Sequence, residues 1–367
     1  FANKMPKLVG RSCLPPLIGV RGGIAGDFTV TKLSDDEFMI IGGGMSERYH
    51  SRFWKMVPLP EGTTFESRTD AMCGFNVAGP KSRELLTRLT NADLSTAAFP
   101  FMRSQQIEIA GVPVVALRVS FTGDLGWELH CEQADQLKLY EALLDAGKAV
   151  GAGPVGSRAL MSLRVEKGYG SWSREYSPEY WPQEVGLAGL IKLEKEFLHK
   201  DAYLRIKDNA PREVMSLIHV TEVTTADATG GEPIFLTDGT PVGRVSSGTY
   251  GYGVEMSLAL GYLKGVAAGT EVDVMILGKP IVVSSCQSRR LIRKAKSCGR
   301  KTRSTSMAYG MIRVYLVPSR VAPTRRPAWA KTTAMTGAND VVVSARRVSP
   351  WSLIAYSRSA PAAQPCD

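Results

Sequence analysis

Five carboxylates stand beside glycine or large aromatic residues in this sequence: Asp27, Asp124, Glu128, Glu166 and Glu175. Asp27 follows Gly22-Gly23-Ile24-Ala25-Gly26, and Phe28, Thr29, Val30 and Leu33 continue in strand-like order. Glycines let a backbone turn tightly and let a ligand approach it closely. A carboxylate held at the mouth of such a strand can stabilise a cation or accept a proton. Taken alone, the stretch fits a hairpin turn with a surface aspartate better. The second informative run is Phe121-Thr122-Gly123-Asp124-Leu125-Gly126-Trp127-Glu128. A Thr-Gly-Asp turn throws the chain back, after which Trp127 and Glu128 point to opposite faces of a strand. A carboxylate next to aromatic rings suits a flat, nitrogen-rich heterocycle, accepting its N–H groups while the rings stack. Trp127 in the core with a solvated Glu128 fits the pattern better. Arg164 and Glu166, two positions apart on a helix, face different ways and need not pair.

Other chemistries lack their residues. Serine-protease and P-loop fingerprints are missing, and Gly168-Tyr169-Gly170 has neither the third glycine nor the preceding strand of a dinucleotide site. The six cysteines form no C-x-x-C pair, and the four histidines are scattered, so metal ligation and a disulfide framework are not expected. Buried reduced thiols and a cytoplasmic setting are the expectation.

Several elements must position these groups. Strands are expected over 27–33 and 37–42, joined by Ser34-Asp35-Asp36, with a helix from Glu47 to Met56. Strands at 64–68 and 73–78, a helix opening at Gly79-Pro80, a hairpin about Gly111-Val112 and a strand from Gly126 follow. Leu137, Tyr140, Leu143 and Leu144 repeat at helical spacing, and a second helix starts near Ser157. Residues 168–182 form an aromatic loop fit to wall a pocket or to cover a domain interface. After about residue 210 the pattern is all β, with a hairpin at Asp238-Gly239, implying a small antiparallel barrel or sandwich.

The net charge of +10 is unevenly placed. Residues 284–367 hold 16 basic and two acidic residues, leaving 29 basic and 33 acidic before them. The body is mildly acidic, so a nucleic-acid role would rest on the tail alone. That tail has six prolines and little apolar periodicity; disorder or a shifted reading frame is expected there. No apolar run approaches the ~20 residues of a membrane span. The chain opens at Phe1 as though inside a domain, which suggests a fragment.

These stretches together resemble the aminomethyltransferase (glycine-cleavage T-protein) folate-binding family, and within it the C-terminal half of FAD-dependent dimethylglycine and sarcosine dehydrogenases. The resemblance covers 1 to about 283. It is carried by Gly22-Gly23-Ile24 to Asp27, Val77-Ala78-Gly79-Pro80, Thr122 to Leu129, Ser162-Leu163-Arg164-Val165-Glu166-Lys167-Gly168-Tyr169 and Ser246-Ser247-Gly248-Thr249-Tyr250-Gly251-Tyr252. It implies an α+β, three-lobed cloverleaf with tetrahydrofolate in a central channel and a C-terminal antiparallel β-barrel. The expected division is a two-lobed, N-terminally incomplete folate-binding domain at 1–205, the barrel at 206–283 and the basic tail at 284–367. Asp27 matches the acid beside the folate nitrogens, and Glu128 the acid that holds the pterin. Phe121, Trp127, Arg158 and Tyr250 are the further cofactor-binding candidates; no metal is implied. The implied function is capture of a methylene group as 5,10-methylenetetrahydrofolate after FAD oxidises an N-methyl amine to an iminium. FAD is expected on a missing N-terminal domain or a partner flavoprotein. The alternative is a catalytically silent folate-fold scaffold that docks to such a partner. Phe121 stands where many relatives have Tyr, and Leu160 stands where an Arg meets the folate tail; whether nearby Arg158 substitutes is left open by the resemblance.

Overall fold

The computed structural model describes residues 1–43, 46–220 and 226–286, and the short segments 344–346 and 354–358. The first lobe comprises β1 (Ser12–Cys13), β2 (Pro16–Ile18), β3 (Ile24–Asp27), β4 (Thr29–Lys32), β5 (Glu37–Ile41), α1 (Glu47–Met56) and β6 (Thr64–Ser67). β4 and β5 pair antiparallel across the acidic turn, in the register Thr29 to Ile41. α1 packs His50 and Phe53 inward against a core of Leu17, Ala25, Phe28, Val30 and Ile40.

The second lobe contains β7 (Met72–Ala78), α2 (Ser82–Leu86), β8 (Ser104–Ile109), β9 (Val112–Leu117), β10 (Gly126–Glu132) and α3 (Gln136–Lys148). β10 lies between β7 and β9. Cys73, Phe75 and Val77 of β7 and Trp127, Leu129 and Cys131 of β10 share one face, and α2 and α3 cover it with Leu85, Leu86, Leu139 and Leu143. The α3 stripe is shifted from the expected one. Leu137 is exposed and Leu139 is buried.

Two helices follow, α4 (Ser157–Glu166) and α5 (Lys200–Leu204), separated by the aromatic segment. The barrel is closed by β11 (Val214–Val220), β12 (Pro233–Leu236), β13 (Pro241–Gly251), β14 (Met256–Leu263), β15 (Glu271–Ile276) and β16 (Lys279–Cys286) in the order β11-β14-β13-β12-β15-β16. Closure leaves no free sheet edge. Ile218, Ile234, Val245, Val272 and Val274 fill it.

Within the basic C-terminal stretch, Ser284, Ser285 and Cys286 belong to β16. β17 (Ser344–Arg346) pairs with β7, and β18 (Ile354–Arg358) inserts between β5 and β6. The rest of the expected tail lies outside the described residues.

Candidate active site

Asp27 is the last residue of β3, not the start of a strand that leaves a glycine turn. The glycines close the preceding β2–β3 hairpin. The Gly22 amide donates to the Gly19 carbonyl at 2.9 Å, with Gly22 at φ +83°, a conformation glycine adopts without penalty. Asp27 then pairs opposite Pro16 and leads directly into β4. Gly26 is a close-approach position. A Cβ there would lie 2.5 Å from the Phe28 ring and 3.1 Å from His50 Nε2. Burial pushes the Asp27 carboxyl up to about 6, partly opposed by a backbone hydrogen bond.

Behind this strand the rings are stacked. The Phe28 and His50 ring centres are 4.8 Å apart, and those of His50 and Trp172 are 4.7 Å apart. Trp172 Nε1 donates to Ser46 Oγ at 2.5 Å. His50 is fully buried, and neither ring nitrogen makes a hydrogen bond of good geometry among the described residues. Burial pushes its imidazole down to about 4; the Ala25 carbonyl opposes this and the Arg52 charge reinforces it. His50 is therefore neutral at physiological pH. Local patterning assigns Asp27 a strand and a turn but gives no hint of this aromatic backing, because His50 and Trp172 are remote in the chain. The only signal was the ring-rich composition of α1 and of residues 168–182.

Glu128 and Trp127 separate across β10 as the alternation requires. The Glu128 side chain retains 26% exposure, with Oε2 3.7 Å from His130 Nε2. Trp127 is 0% exposed. It lies edge-on to Phe99 with ring centres 6.3 Å apart, and the guanidiniums of Arg83 and Arg118 lie 5.8 Å from its ring. The expectation that Trp127 contacts a cofactor is thus corrected: neither face of its ring is open to a ligand, because β10 turns it into the core of the second lobe. Phe121, in the loop before β10, is half-buried.

α4 and the segment after it join the three lobes. Ser162 Oγ donates to the Tyr250 carbonyl of β13 at 2.7 Å. The Gly253 amide donates to Glu166 Oε1 at 3.0 Å. At the helix end the Lys167 side chain lies against Gly123, in the turn before β10. Toward the first lobe, Trp172 reaches His50, and the Ile24 amide of β3 donates to the Tyr180 carbonyl at 2.9 Å. At the centre, the buried Arg164 Nη1 donates to Glu175 Oε2 at 2.7 Å. Arg164 Nη2 donates to Ser247 Oγ at 2.6 Å, and Ser247 Oγ to Glu175 Oε1 at 2.6 Å. Arg164 and Glu166 indeed face different partners. Tyr250 is 37% exposed and Tyr252 60%, with ring centres 5.0 Å apart. Arg158 is exposed at the start of α4 and makes no ion pair or hydrogen bond among the described residues, whereas Leu160 is buried.

Comparison with known proteins agrees with this architecture. Residues 1–195 match the GCVT N-terminal domain and residues 216–289 the glycine cleavage T-protein C-terminal barrel domain. The mitochondrial dimethylglycine dehydrogenase of Mus musculus is 36% identical over 286 residues, covering 76% of this chain and 32% of that protein. The Homo sapiens dimethylglycine dehydrogenase is 33% identical, covering 80% and 35%. This chain thus spans about a third of the length of those dehydrogenases. An aminomethyltransferase of Natranaerobius thermophilus is 28% identical, covering 74% of both chains. The crystal structure of aminomethyltransferase T from Bartonella henselae shares the fold, with a TM-score of 0.65 at 23% identity over 76% of this chain and 75% of that one. A GCVT N-terminal domain followed by its own C-terminal barrel, in the order and lengths these matches define, places the chain in the glycine cleavage T-protein family.

Proposed function

We propose that this chain is a tetrahydrofolate-binding one-carbon transfer module of an N-methyl-amine dehydrogenase of the dimethylglycine or sarcosine type. The observation that carries this reading is Asp27, a carboxyl at the end of β3 whose proton affinity is raised by burial, directly after Gly26, which packs closely on Phe28 and His50. The donor set fits a reduced pterin. Glu128 offers a half-buried carboxylate to N–H groups, and Phe121, Tyr250 and Tyr252 offer ring faces with free surface. Tetrahydrofolate, when bound, supplies the nucleophilic nitrogens that take up the one-carbon unit.

Asp27 has two tasks in this reading. Its carboxylate stabilises a cationic iminium, and it accepts the proton released as the carbon–nitrogen bond forms. Burial serves both, since a low local dielectric strengthens attraction to a cation and brings proton affinity closer to neutrality. Glu128 holds and orients. The iminium comes from flavin chemistry on another domain or chain.

The test is a titration of the purified chain with tetrahydrofolate. Glu128→Gln is expected to weaken binding at least tenfold, and Asp27→Asn to change it by less than about threefold. Binding that neither Glu128→Gln nor Asp27→Asn alters, or no binding, would reject the assignment. No binding would instead favour a scaffold that only docks to a flavoprotein, a reading to which the buried Leu160 and the unengaged Arg158 lend support.

A further inference from the structure

We infer that Cys73 and Cys131 are a modification site, a buried dithiol poised to close into a cross-strand disulfide. Three observations carry it. The two residues are direct partners in the antiparallel register of β7 and β10. Their sulfurs are 3.2 Å apart, against about 2.05 Å in a disulfide. Both side chains are buried, 0% and 2% exposed, on the face covered by α3. Direct antiparallel partners have Cα separations inside the range a disulfide spans, so rotation about the side-chain bonds suffices and the sheet need not move.

The oxidant that suits a closed core is a small, uncharged peroxide. One thiol attacks hydrogen peroxide, giving a sulfenic acid and water. The second sulfur then displaces the hydroxyl, giving the disulfide and a second water. Two thiols together lose two protons and two electrons, and the peroxide is reduced to two waters. The contact with the Cys73 thiol, and then burial, raise the Cys131 thiol well above its ordinary range. The thiolate is scarce, so closure is slow.

The bond would join residues 58 apart and clamp the far end of β10, the strand that carries Glu128. Restricting the unfolded chain in this way raises the unfolding midpoint by roughly 5–10 °C.

The experiment treats the full chain with hydrogen peroxide, unfolds it in denaturant with an alkylating agent, and maps the peptides without reduction. The expected result is one linked peptide pair, Cys73 with Cys131, lighter by two hydrogens, together with the higher midpoint, both reversed by dithiothreitol. Cys73→Ala and Cys131→Val, which keep the site apolar, abolish the linked pair. Cys13, half-buried and remote, reports the general action of the oxidant. Full alkylation of Cys73 and Cys131 after Cys13 has been oxidised would overturn the inference. So would linkage of either residue to another cysteine.

Discussion

At the residue scale, two titratable groups, the half-buried Asp27 and the buried His50, are shifted in opposite senses. Asp27 has a folded-state value of about 6 against 3.8 for an ordinary aspartate. The folded protein therefore binds its proton first, and stability rises as pH falls from about 6 to about 4. His50 has a folded-state value of about 4 against 6.5. There the unfolded chain binds the proton first, and stability falls as pH drops through the 6.5–4 window. Each effect amounts to about 3 kcal/mol, and over the shared window they largely offset one another. Single substitutions separate them. Asp27→Asn is expected to stabilise the protein by about 2–3 kcal/mol at pH 8, with the gain gone at pH 4. His50→Phe is expected to remove most of the acid-side loss. Denaturant unfolding at pH 4, 6 and 8 reads both, and a pH-independent difference for either variant would show that the group is not desolvated as described.

At the scale of elements, α4 and the segment after it are the joint of the molecule. Arg164 is fully buried and shares Glu175 with Ser247 of β13, so helix, loop and barrel meet in one ionic cluster. Desolvation draws the Arg164 guanidinium downward, and Glu175 opposes it. A charge left alone there has no water to turn to. Arg164→Met is therefore expected to cost about 3–5 kcal/mol, as when one member of a buried pair is removed. Adding Glu175→Leu should recover part of that loss, because the stranded carboxylate goes with it. Urea unfolding of the two single variants and the double variant measures the coupling. Strict additivity would mean that the pair does not hold the lobes together.

Much of this was legible in the sequence, and the gaps have physical causes. The β4–β5 pairing, α1 and the barrel strands follow from residue patterning and the Asp238-Gly239 turn, all of which are local. The opposite orientations of Trp127 and Glu128 followed from strand pleating alone. What periodicity could not show was long-range placement. Trp127 carries the aromatic character of a ligand wall, yet two arginines and Phe99 enclose it. The Glu175 partnership crosses 11 residues to Arg164 and 72 to Ser247, and the His50–Trp172 contact crosses from the first lobe to the aromatic segment. No local pattern encodes such contacts.

At the scale of the whole molecule, Asp27 lies in the first lobe, Glu128 in the second and Tyr250 in the barrel, and α4 with the segment after it contacts all three lobes. In the proposed function the two acids divide the labour: Glu128 would hold the folate, and Asp27 would serve the transfer. The most direct measurement is a single-turnover transfer assay. The chain is saturated with tetrahydrofolate, an N-methylene iminium is supplied, and product formation is followed from pH 5 to pH 8. The parent rate is predicted to rise through about pH 6, where the Asp27 carboxyl ionises, and then level off. Asp27→Asn should fall by at least about a hundredfold while still binding folate. Transfer by Asp27→Asn at the parent rate, with the same pH profile, would contradict the account.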